Sequence, residues 1–312
     1  MATTKRKPAY PILPTDPRDP EGTDGPVNKA SREFKRRIKA AVDLYVEAID
    51  RFPRQVIQVN VERYVYQLDQ GILKSLLDNI GWLVDEIMLE GGEPNLWFWT
   101  GFVKPAYERG TAKTIRNIAR QSPAYKAERA SLSDVITLEP YQRRLVLLRA
   151  REFEEMKHLT ADIKADMARI LTDGMARGRN PLAIARNLQE QTLIENYRAE
   201  RIARTEINTA LRRARWDEYE DAQQQYGLNM KLMHISALSP TTRRNHAARH
   251  GNLYTVEQSR DWFAQGSTSI NCKCSTVEVM VDNDGKPLVP AIEERAHAMR
   301  KKFEEKQDAN AD

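Results

Sequence analysis

Along most of the chain, apolar residues return every three or four positions, the period of helices with one buried face. Phe34, Ile38, Val42, Tyr45 and Ile49 form the first such stripe, which starts near Ser31 and stops at Pro53. Ile57, Val59 and Val61 then alternate, which predicts a short strand or an extended link. Leu68, Ile72, Leu76, Ile80, Leu83 and Ile87 mark a long amphipathic helix that ends at Gly91-Gly92. The aromatic group Trp97, Phe98, Trp99 and Phe102 is dense enough to predict a core rather than a subunit contact. Helices are expected over 140–158 and 159–175. After Gly174 and Gly178, Asn180-Pro181 offers an N-cap and a first-turn proline to a helix carrying Leu182, Ile184, Ala185 and Leu188. A further helix, from about Asn196 to Gly227, has Ile202, Ile207, Ala210 and Leu211 on its apolar side.

The period changes towards the end of the chain. Val277, Val279 and Val281 alternate as a strand, Met233 and Ile235 suggest its partner, and Asn283-Asp284-Gly285 offers a tight turn. Residues 291–312 read as a charged helix fraying into a polar tail. At the other end, Pro8, Pro11, Pro14, Pro17, Pro20 and Pro26 fix φ and remove backbone donors. Residues 1–30 are therefore expected to form an extended arm, dispensable for folding: either a disordered tail or a strap on a partner, anchored by Tyr10-Pro11-Ile12-Leu13-Pro14. The fold class is α+β and predominantly α. A helical scaffold over 31–226 precedes a small strand-containing module over 227–290 that holds most of the histidine and both cysteines.

Composition narrows the function. The 312 residues are 41% hydrophobic, compatible with a real core, and 49 basic against 44 acidic residues leave a net charge of only +5. Any basic surface must come from clustering. Lys113, Arg116 and Arg120 supply one, a helical stripe in a segment nearly free of acids, and are the candidate contacts for nucleic-acid phosphates. The two cysteines are too close in sequence to staple a fold, so reduced thiols and a cytosol-like compartment of assembly are expected. No apolar run approaches the roughly 20 residues needed to span a bilayer, and no signal-peptide core is evident.

Candidate chemistry gathers between Arg201 and Cys274, which holds three of the five histidines and both cysteines. Arg204 and Glu206 point in different directions on a regular helix, so each is expected to tie that helix to a different neighbour. The order of elements, with Asp173-Gly174 to Gln191, Ala203-Arg204-Thr205-Glu206, Arg243-x-x-His246-x-x-x-x-Gly251 and Asn271-Cys272-Lys273-Cys274, resembles the phage head morphogenesis family, the phage Mu protein F-like minor head proteins. The resemblance covers about 165–281. Members typically carry an aromatic residue where His234 stands, an acid at Ser239, an arginine at Thr241 and an acid at His250; Arg243, His246, Gly251, Cys272 and Cys274 match.

If Cys272 and Cys274 lie on a strand they share a face, and if 242–249 is helical, His246 and His250 share one too. Two thiolates and two imidazoles would then complete the closed shell of a structural zinc, with His234 in reserve. The alternative is a reduced cysteine pair with His246 hydrogen-bonded in the core. The resemblance implies a non-enzymatic minor protein of a tailed-phage virion near the portal vertex. It implies assembly in the host cytoplasm without a membrane, partners in the portal and other head proteins, and roles in head assembly, DNA packaging or genome ejection. Non-specific contact with phage DNA is expected from the basic stripe. The competing readings are a metal-dependent nuclease or toxin module, from His246, His250, Asn252 and Asn271, and a nucleic-acid-binding adaptor.

Overall fold

A computed structural model of the chain describes residues 8–58, 63–67, 69–129 and 131–309. The expectations for Val59, Val61 and Leu68, for the first seven residues of the arm and for the last three of the tail lie outside these residues. The protein is α+β and mainly helical. Helix α1 (Asp24–Asp50) leads into a hairpin of β1 (Arg54–Gln58) and β2 (Arg63–Tyr66), then α2 (Gln70–Met88) and the short α3 (Gly92–Asn95). A π-turn at Trp99–Val103 enters α4 (Lys104–Gln121), followed by α5 (Pro123–Glu128), α6 (Glu139–Ala176) and α7 (Pro181–Tyr226). The remainder is β3 (Met230–Ile235), α8 (Arg244–Ala247), β4 (Leu253–Tyr254), α9 (Val256–Ala264), β5 (Ser275–Met280) and α10 (Ala291–Asp308).

The chain forms two compact units, each discontinuous in sequence, and they do not follow the expected division at residue 226. One gathers the segment ending at Pro26 with Val103–Leu145 and everything from Arg204 onward; the other gathers Val27–Phe102 and Val146–Ala203. The boundaries fall inside α1, the π-turn, α6 and α7. Each of the last two is a single helix where sequence periodicity predicted a pair, because no proline or glycine interrupts 158–159 or 189–196.

In the second unit, α1 begins its buried stripe at Val27 and continues through Phe34, Ile38, Val42, Tyr45 and Ile49. Phe34 meets Trp97 and Phe98 edge-on at 4.8 and 5.0 Å, so the aromatic group is core, with Phe98 fully buried. Asp69 caps α2 by accepting from the N–H groups of Gly71 and Ile72. The turn between α6 and α7 has Gly178 at φ +63°, and Asn180 accepts from the Leu182 N–H at 2.9 Å, as its position before Pro181 predicted.

The first unit is built on a three-stranded antiparallel sheet of order β4-β3-β5, with Leu232 opposite Glu278 and Met233 opposite Val277. One face carries Met233, Ile235, Val277 and Val279 against Ile292 and Ala296 of α10. The alternation in β5 suggested one buried face. Every residue of the strand is buried, because Thr276, Glu278 and Met280 are covered as well. That second face belongs to the larger core of Ile115, Ile118, Tyr125, Trp216, Tyr219, Leu232 and Phe263.

Glu278 tolerates such a place because its charge is met. Arg215 from α7 donates Nε and Nη2 to its two carboxylate oxygens at 3.0 and 2.9 Å, Thr114 donates at 2.9 Å and Asn117 at 2.7 Å. Burial alone would raise this carboxyl, but the arginine holds it below the ordinary carboxylate value.

Candidate functional site

The arm departs from the sequence expectation. Its described part lies along its own unit: the Ile12 N–H donates to Asn117 Oδ1 at 2.6 Å, Pro11 is buried, and Leu13 packs against the Met233 and Ile292 core. Asp19 accepts from the N–H groups of Thr23 and Asp24, which starts α1 at Asp24 rather than Ser31. Glu21 is fully buried, and its backbone oxygen accepts from Arg109 Nη2 at 3.0 Å and Lys113 Nζ at 2.7 Å. Prolines prevent secondary structure of the arm's own but do not prevent docking into a ready-made groove.

This docking corrects the basic stripe. Lys113 is occupied by Glu21, whose Oε2 is 3.4 Å from its Nζ, and burial lowers its ammonium below the ordinary lysine value. Only Arg116 and Arg120 of the three remain exposed. A 480 Å³ cavity lies between arm and helix, bordered by Asp16, Asp19, Arg109, Lys113 and Arg116.

The structure unites the motif residues of 201–274. Arg204 Nη1 donates to Asp24 at 2.7 Å and Lys273 Nζ to the same carboxylate at 2.6 Å. Burial would raise the Asp24 carboxyl, yet these two cations hold it below its ordinary value. One residue on, Thr205 Oγ1 accepts from the Asn271 N–H at 2.9 Å, and Glu206 is buried on a different side of the helix. Asn271 has φ +52°, a left-handed conformation that asparagine tolerates better than most residues. Arg243 spreads its guanidinium over three carbonyls, those of Ser267, Thr268 and Ile270, at 2.7 to 3.1 Å. Gly251 has φ +87°, and a Cβ there would stand 2.7 Å from His297 Cδ2 and 2.8 Å from Ala296 Cβ. Thr205 and Arg243 therefore fix the backbone path that leads to Cys272.

At the end of that path His246, Cys272 and Cys274 converge, with their ligand-capable atoms within 4.8 Å of one another. His246 Nδ1 is 3.3 Å from Cys274 Sγ and 3.4 Å from Cys272 Sγ, and the Cys274 N–H points to Cys272 Sγ at 3.3 Å. The three residues are only 2–3% exposed. Asn208 and Arg212 of α7 donate to the backbone oxygens of Cys272 and Cys274, and Trp262 packs edge-on against the His246 ring at 4.7 Å. The Cys274 thiol and His246 pull Cys272 well below the ordinary thiol range against the effect of burial; its neighbour Cys274 is pushed up by sharing that proton and by burial. Such a cluster could hold a metal ion.

His250 does not join it. Helix α8 ends at Ala247, so residue 250 is not one helical turn further on; its Nδ1 lies 3.0 Å from the Ser236 N–H and 3.2 Å from the Ser236 oxygen. Burial lowers the His250 pKa to about 4. His234, the reserve ligand, is fully buried, stacks on Phe263 at 5.7 Å and stays outside the cluster. The cysteines lie just before β5 rather than on it, and still face one imidazole. Sequence reasoning missed Asn208 and Trp262 and gave Arg212 no place at this site; for Arg212, its recurrence with Arg201, Arg204 and Arg215 at roughly helical intervals was the available signal.

Comparisons with known proteins meet this geometry. Residues 165–277 match the family model described as phage Mu protein F like protein, so the resemblance carried by the Arg-Thr-Glu helix and the Asn-Cys-Lys-Cys ending holds over that stretch. The chain is also similar to the NAD(+)--arginine ADP-ribosyltransferase EFV of Enterococcus faecalis (strain ATCC 700802 / V583), 31% identical over 117 residues, or 34% of this chain and 24% of that protein. It thus spans about a quarter of that relative's length. No solved structure matches the chain.

Proposed function

We propose that the protein is a minor structural component of a tailed-phage head, located in the virion near the portal vertex and bound to the portal and other head proteins. There it assists head assembly, DNA packaging or genome ejection. The observation that carries this reading is the family match over 165–277. A structural role is further supported by the burial of His246, Cys272 and Cys274, since a hydrolytic metal centre needs an open position that substrate can reach. No carboxylate joins that cluster among the described residues, which weighs against the nuclease reading. No helix among the described residues is long and apolar enough to cross a membrane.

Sequence-blind contact with phage DNA belongs to this proposal and rests on the exposed Arg116 and Arg120. The test is mass spectrometry of purified virions together with co-purification on tagged portal. Low, fixed copies in the virion and retention on the portal are expected. Absence from virions, or divalent-metal-dependent cleavage of DNA by the purified protein, would overturn the reading.

A further inference from the structure

We propose that His246 Nδ1, Cys272 Sγ and Cys274 Sγ bind one zinc ion, which locks the end of the 265–274 loop to the α8 turn. The chemistry of the donor set and the spacing both point there. With zinc–sulfur bonds of about 2.3 Å and a zinc–nitrogen bond of about 2.0 Å at tetrahedral angles, nitrogen and sulfur ligands stand roughly 3.5 Å apart. The two nitrogen–sulfur distances here are 3.3 and 3.4 Å, so two edges of the triangle already have the length that a zinc shell requires, and all three atoms lie within 4.8 Å of one another. Two soft thiolates with one imidazole favour zinc over the oxygen-seeking divalent cations.

The surroundings fit a metal thiolate. The Cys274 N–H points at Cys272 Sγ, and Asn208 and Arg212 fix the cysteine carbonyls. These contacts orient the ligands from outside, as supporting shells of metal sites do. Both cysteines are free rather than bridged. Three protein atoms leave the fourth position to a solvent molecule. The Ser236 hydroxyl, buried beside the Cys274 thiol and making no hydrogen bond of good geometry, is the polar group at hand to receive it. The ion binds the thiolate forms, so protons compete with it and affinity falls as pH is lowered. The ion would make the module's folding depend on metal whichever particle the protein serves, independently of the head-protein reading.

The experiment uses the full chain, expressed in zinc-supplemented medium and purified without chelator. Elemental analysis is expected to find one zinc per chain, and cobalt exchange to produce a thiolate-to-metal charge-transfer band. His250→Gln should keep both signals, whereas Cys272→Ser, Cys274→Ser and His246→Gln should each lose at least tenfold in affinity. Because those three variants can unfold, the unmodified protein decides first. Folded wild-type protein without stoichiometric zinc and without a cobalt band overturns the proposal, as does a Cys272–Cys274 disulfide in the native protein. Loss of metal from His250→Gln with retention in His246→Gln overturns the ligand assignment.

Discussion

Replacing Glu278 by alanine should be among the most destabilising single changes in the sheet-containing unit. The substitution removes the carboxylate that Arg215 grips with two nitrogens at 2.9 and 3.0 Å, in a place where the arginine is 4% and the glutamate 0% exposed. Among the described residues Arg215 would keep only Glu21 as an acidic partner, whose Oε2 is 3.7 Å away and already shared with Lys113. Breaking a buried pair from one side costs about 3–5 kcal/mol, mostly because the surviving charge stays buried. Thr114 would lose its carboxylate acceptor and Asn117 one of two, keeping the backbone oxygen of residue 278, which adds to the expected cost. Glutamine should rescue little, because it is uncharged, offers one acceptor oxygen where Arg215 meets two, and would turn its NH2 towards other donors.

Hydrogen exchange in β3 and β5 measures this unit alone and avoids assuming that the whole chain unfolds in one step. The protection free energy of these strands should drop by about 3 kcal/mol or more. The pH dependence has a definite sign. Arg215 depresses the folded-state carboxyl below its ordinary 4.5, so the stabilisation is present above that value and is lost as pH falls below it. The wild type should lose protection in that acid range, and Glu278→Ala should flatten this part of the profile. A drop under about 1 kcal/mol, no larger than a typical point mutation, would refute the argument that the pair anchors β5 to α7.

The remaining expectations are simpler. His250 has its pKa lowered to about 4 by burial, so the unfolded chain binds its proton first and stability should fall between pH 6.5 and 4; His250→Gln should reduce that fall, worth up to about 3 kcal/mol, in acid denaturation. Gly251→Ala meets both an unfavourable positive φ and the 2.7 Å approach of His297, and should cost about 1–3 kcal/mol in urea unfolding; an unchanged midpoint would show that the turn can relax. Deleting residues 1–22 should destabilise the sheet-containing unit and raise the exposure of Lys113 to amine labelling, because Glu21 is fully buried against it. Unchanged melting and labelling would restore the view of the arm as dispensable.

Periodicity located most of the helical stretches, since a buried stripe such as Phe34 to Ile49 needs only local spacing, and it found β3 and β5 by their alternation, but it divided α6 and α7 each into two and started α1 late. The succession of Arg204-Thr205-Glu206, Arg243, His246, Gly251 and Asn271-Cys272-Lys273-Cys274 was likewise legible, because each residue type has an uncommon backbone or donor property. Tertiary structure decided what those residues touch. His246 and His250 are equally good ligands by composition, but α8 stops at Ala247 and turns one imidazole to the cysteines and the other to Ser236. Lys113 looked like a free cation until Glu21, 92 positions away, was laid against it. Glu278 sat on what alternation marked as the polar side of a strand, and only the helices packed over it made that side an interior with its own arginine. Local pattern reports how a segment folds; charges and ligands are satisfied by neighbours distant in sequence, which no local period records.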